Sequence, residues 1–79
     1  MPASSLLGEL DKGFELMGQW LGSTRLQVAT TSVGRGHRVL EMATQWAATR
    51  KQFGQAIGKF QGTGFKLADM KTELEAAEL

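Results

Sequence analysis

Arg50-Lys51-Gln52-Phe53-Gly54-Gln55-Ala56-Ile57-Gly58-Lys59-Phe60-Gln61 is the stretch on which the reading of this 79-residue chain turns. Gly54 and Gly58 in it, with Gly62 and Gly64 just beyond, mark the one place where the chain is expected to reverse. Helical periodicity lies on both sides, so the stretch joins two helices into an antiparallel hairpin. The predicted connection covers about residues 50–58.

Upstream, apolar or small residues recur three or four apart at Phe14, Met17, Leu21, Thr24, Val28, Thr31, Val39, Ala43 and Trp46. That spacing is one stripe on a helix and shows no strand alternation. Asp11 is a plausible N-cap. A helix over about 11–49 would be ~57 Å long at 1.5 Å per residue. Thr24, Thr30, Thr31, Ser32, Gly34 and Gly36 have poor helix propensity, which leaves open two shorter helices with a break at Gly34 to Gly36. The unbroken helix is preferred because no proline interrupts it. Downstream, Phe60, Thr63, Leu67, Met70, Leu74 and Ala77 form a second stripe, with Lys66, Asp69, Lys71 and Glu73 off it, predicting a helix over about 59–79. That pattern reaches Leu79 without a glycine or asparagine stop signal, so the sequence reads as ending inside a helix.

Composition narrows the function. A chain of this size is one domain at most and buries a small fraction of its surface, so it is expected to fold with a partner. Nine basic against eight acidic side chains give a net charge of +1, too balanced for the dense positive face that holds a nucleic-acid backbone. There is no cysteine for a disulfide or thiolate site, and no apolar run of about 18 residues that would span a membrane. The first residues lack the pattern of a signal peptide, and a cytoplasmic location is the expectation. His37 has no second histidine or cysteine at ligand spacing, so no metal is expected. Gly34-Arg35-Gly36 and Gly62-Thr63-Gly64 complete no phosphate-loop pattern and read as aids to turning and close helix contact. Trp20 and Trp46 read as packing anchors.

Arg50, Lys51, Phe53 and Gly54 in order, followed by Phe60-Gln61, resemble the Arg-Lys-x-Phe-Gly segment of the acyl-CoA dehydrogenase flavoproteins. The resemblance extends over roughly Leu7 to Leu79. It implies an all-α fold in which a long helix and a second antiparallel helix form part of a C-terminal four-helix-bundle domain. It also implies that this chain is a fragment of an FAD-dependent enzyme that oxidises an acyl-CoA thioester to its 2,3-enoyl form. Arg50, Lys51, Gln52, Phe53, Phe60 and Gln61 would then contact an FAD bound mainly by another subunit, with arginine supplying the planar donor fork a diphosphate needs. A helix-terminal arginine is also explained by the helix dipole, and Phe53 could equally be a core residue under the turn.

Gly22-Ser23-Thr24-Arg25 corresponds in the family to a segment lining the acyl-CoA pocket that usually reads Asp-x-x-Arg. Here Gly22 replaces the acid, and Arg25 could instead be a structural ion pair. Some family members carry their catalytic glutamate where this chain has Thr24, whose hydroxyl cannot act as the base. In most others it lies about a hundred residues further on. No catalytic residue is therefore assigned, and the fragment is expected to be inactive alone. The resemblance implies an electron-transfer acceptor and a homo-oligomer, dimer or tetramer. The alternative is a non-enzymatic helical-hairpin interaction module, which has no need of the arginine-lysine segment. A family member that kept the fold and lost dehydrogenation is a third reading.

Overall fold

The computed structural model describes residues 2–79. Two helices joined by a tight β-hairpin account for most of it. A short 3-10 turn over Ala3–Ser5 leads into α1, Gly13–Thr49, an unbroken helix of 37 residues and about 55 Å. Strands β1, Lys51–Gln52, and β2, Gln55–Ala56, follow, then a 3-10 turn over Ile57–Lys59 and α2, Gln61–Glu78. The particle measures 72 × 25 × 13 Å. Its radius of gyration of 22.3 Å is about twice the ~12 Å of a compact domain of this length. Ala47 alone is buried among the described residues, at 4% exposure.

α1 runs unbroken through its stretch of weak helix formers, and the hydroxyls along it find partners within the helix. Thr24, Thr30, Ser32, Thr44 and Thr49 each donate to the carbonyl four residues back, at 2.8–3.1 Å. Their polar groups are thus satisfied inside the helix, which leaves methyl and methylene surface on its flanks. Gly34 and Gly36 do not break the helix. At Gly36 the helices approach closely: a Cβ there would lie 2.7 Å from Leu74 Cδ1, so the end of the Leu74 side chain sits over the α1 backbone.

At the N-terminus of α1 the structure corrects the cap. Asp11 is in the left-handed region at φ 63°, Lys12 holds the cap position, and neither caps α1 by a side-chain hydrogen bond. Asp tolerates that conformation, and it closes the turn in which the Lys12 amide donates to the Glu9 carbonyl. Lys12 instead pairs with Glu15 at 2.9 Å.

The stripe on α2 faces α1 as expected, with Thr63, Leu67 and Leu74 half-buried. The stripe on α1 needs correction. The face turned to α2 carries Gly36, Leu40, Ala43 and Ala47, while Phe14, Val28, Val39 and Trp46 are exposed. A helix apolar on several faces leaves its packing face to be chosen by its neighbour. Trp20 and Trp46, expected as packing anchors, are 66% and 61% exposed. About 27 Å of α2 covers only the C-terminal half of α1, and its far end reaches the Leu26–His37 region. There His37 Nε2 lies 3.2 Å from Glu78 Oε2, the one side-chain polar contact between the helices among the described residues.

Candidate functional site

The connection is more ordered than a glycine-rich loop. Lys51 pairs with Ala56 and Gln52 with Gln55, so Phe53-Gly54 forms a two-residue antiparallel turn. Phe53 at φ 52° and Gly54 at φ 79° both lie in the left-handed region, the signature of a turn whose twist matches the strands it joins. Gly54 adopts that geometry freely. Phe53 does not, since a bulky side chain there costs about 1–3 kcal/mol, and such strain persists only where the surroundings hold it. The strand bonds do so, together with the Ile57 amide donating to the Arg50 carbonyl at 2.9 Å, which closes the base of the hairpin.

The result is an aromatic ring held out at the tip. Phe53 is 93% exposed, and its ring and that of Phe60 meet in a T-shaped arrangement at a centroid distance of 6.2 Å and 90°. Phe53 is thus not a core residue of this chain. Phe60 is half-buried and extended as the cap residue of α2, outside the helix in which the periodicity put it. Gln61 is the first residue of α2 and Gln52 faces Gln55. Five of the six expected cofactor residues therefore lie in or beside the hairpin, and Arg50 ends α1 immediately before it.

The electrostatics of this end are one-sided. Between Glu41 and Asp69 the sequence holds Arg50, Lys51, Lys59 and Lys66 and no carboxylate. Arg50 makes no ion pair among the described residues; its guanidinium lies over the Trp46 ring, 6.0 Å from the centroid. The first turn of α2 holds no acid either. This end can receive an anion with little competition from the chain's own side chains. Residue types at that spacing, a planar fork and an ammonium beside neutral amides and an aromatic wall, match the chemistry of a dinucleotide diphosphate. Trp46 is the member of this group that sequence reasoning missed. Its four-residue spacing from Arg50 was the available signal.

The second group of expected residues is elsewhere. Gly22, Ser23, Thr24 and Arg25 lie on the half of α1 that α2 does not cover, and Arg25 is about 38 Å along the helix from Arg50. Thr24 is half-buried and its hydroxyl donates to the Trp20 carbonyl at 3.1 Å. Arg25 is exposed and has no carboxylate partner within this chain among the described residues. The two groups cannot meet one small molecule within a single chain.

The family model for the acyl-CoA dehydrogenase C-terminal domain matches residues 11–79. The chain belongs to the acyl-CoA dehydrogenase family, and these residues are C-terminal-domain sequence. Among its relatives, the caffeyl-CoA reductase-Etf complex subunit CarC of Acetobacterium woodii is 44% identical over 79 residues, covering 100% of this chain and 21% of that protein. The short-chain specific acyl-CoA dehydrogenase of Megasphaera elsdenii is 42% identical over 77 residues, 98% of this chain and 20% of that protein. The mitochondrial short-chain specific acyl-CoA dehydrogenase of Bos taurus is 39% identical over 79 residues, covering 100% and 19%. The chain spans about a fifth of the length of these relatives. No helix among the described residues is long and apolar enough to cross a membrane.

Proposed function

We propose that this chain is part of an FAD-dependent acyl-CoA dehydrogenase that oxidises an acyl-CoA thioester to the 2,3-enoyl-CoA, and that its hairpin end supplies one half of the flavin dinucleotide site of a sister subunit. The observation that carries the reading is the uncompensated cationic end of α1 beside a strained, exposed Phe53. In this arrangement Arg50 and Lys51 bind the diphosphate, Gln52 and Gln61 add neutral donors, and Phe53 with Phe60 forms an apolar wall that excludes water. The chemistry such a flavin supplies is acceptance of a hydride from the β carbon of the thioester. Gly22, Ser23, Thr24 and Arg25 line part of an acyl-CoA pocket. Their distance from Arg50 along one unbroken helix supports two half-sites that serve two different active centres.

The catalytic carboxylate is not among the residues of this chain on this reading. Thr24 occupies the position at which some relatives carry a base, and its hydroxyl is committed to the helix backbone. The chain alone is therefore inactive. One of the relatives is named as a subunit of an Etf complex, which supports an electron-transfer protein as the partner that reoxidises the flavin. Apolar faces along α1 support a homo-oligomer, dimer or tetramer.

The test is FAD affinity in the full polypeptide that contains this chain. Arg50→Ala removes charge-assisted hydrogen bonds to phosphate and is expected to weaken binding to the apoprotein by about ten- to a hundredfold. Unchanged affinity would remove the hairpin from the flavin site.

A further inference from the structure

Arg50 is the cation on which the proposed diphosphate contact depends, and nothing acidic holds it. What the structure places beside it is Trp46, one helical turn earlier on α1. The guanidinium carbon is 6.0 Å from the centre of the indole, and the Arg50 amide donates to the Trp46 carbonyl at 2.8 Å. We infer that Trp46 is a positioning residue that works through Arg50: its indole face holds the guanidinium at the end of α1 in the orientation in which it receives a phosphate. The inference rests on the reading of Arg50 given above and adds to it a residue that touches no cofactor itself.

Three observations carry it. First, Arg50 is the cap residue of α1, with φ −69° and ψ 125°, so its backbone has left the helix and its long side chain needs another restraint. Second, an aromatic face restrains a guanidinium without neutralising it, because the ring quadrupole attracts the cation while the fork of N–H donors stays free at its edge. A carboxylate in the same place would occupy that fork, and the residues between Glu41 and Asp69 include none. Third, Trp46 is 61% exposed, so burial within this chain does not account for a tryptophan there. Holding the side chain before the ligand arrives removes part of the ordering cost from the binding step.

The experiment is a double-mutant cycle in the full polypeptide, reading FAD affinity of the apoprotein by reconstitution. Trp46→Leu is expected to weaken FAD by about two- to fivefold, the range of a cation–π contact at an exposed site. Trp46→Phe is expected to recover part of the loss. The decisive comparison is Trp46→Leu in the Arg50→Ala background, where the effect should vanish. A loss of the same size with and without Arg50 would mean that Trp46 is structural only, and would overturn the inference. Arg50→Ala without any effect on FAD would instead sink the diphosphate reading itself, so the two failures are told apart. A second readout needs no flavin. The Arg50 side-chain protons should show an upfield ring-current shift in the apoprotein that disappears in Trp46→Leu, and absence of that shift would also overturn the inference.

Discussion

At the scale of single residues, strain and close approach separate positions that matter for folding from those that matter for binding. Phe53 holds a left-handed conformation that asparagine adopts more readily, in a turn type that favours asparagine at this place. Phe53→Asn is expected to stabilise the hairpin by about 0.5–1 kcal/mol in chemical denaturation while weakening FAD, the pattern of a residue kept for its contact surface. Loss of stability in that variant would mean that the ring packs in the assembly instead. Gly36 poses the opposite question. An added methyl would meet only the mobile end of Leu74, and the helix gains about 1 kcal/mol from alanine over glycine, so Gly36→Ala should be near neutral. Gly36→Val forces the helices apart and is expected to cost about 1–3 kcal/mol in the midpoint of denaturation.

At the scale of elements, α2 carries a pH signature. Lys71 Nζ lies 2.8 Å from Glu75 Oε1, one turn apart on an exposed face. The hydrogen bond from Lys71, with its attraction, holds the Glu75 carboxyl below its ordinary 4.5, and the same bond raises Lys71 above 10.5. A depressed carboxylate contributes stability that is complete above its unfolded value and is lost as pH falls through the lower folded value. The raised ammonium contributes below 10.5 and loses that contribution as pH rises past its folded value. The helicity of α2 should therefore decline below about pH 4.5, and salt should shrink the effect because both groups are in water. Far-UV circular dichroism of Glu75→Gln should lack this acid component; an unchanged acid profile would show that the pair adds nothing.

At the scale of the whole molecule, one buried residue among those described, in a rod 72 Å long, is too little core for an independent fold. Phe14, Trp20, Leu26, Val28 and Val39 present apolar surface along a helix that α2 covers over half its length. The isolated chain is expected to self-associate into a helical bundle. Sedimentation equilibrium giving a well-folded monomer would count against this.

The sequence by itself determined the two helices and their join. Periodicity of 3.6, the absence of proline after Pro2, and glycines gathered after Arg50 leave an antiparallel helical pair as the consistent reading. The group at the hairpin was legible from residue types in a recognisable order, although no local energy distinguishes a phosphate-binding Arg50 from one placed for the helix dipole. Tertiary structure decided what spacing cannot carry. The stripe of α1 offered several apolar faces, and the register imposed by the hairpin selected the one bearing Gly36, Leu40, Ala43 and Ala47, where Gly36 admits the close approach of Leu74 and Ala47 that of Gly58. The left-handed turn at Phe53-Gly54 was likewise settled by strand pairing, since phenylalanine's own preference opposes it. Trp46 beneath Arg50 could be placed only once the end of α1 was fixed in space, because a cation over a ring is a matter of distance and angle that residue order alone does not contain.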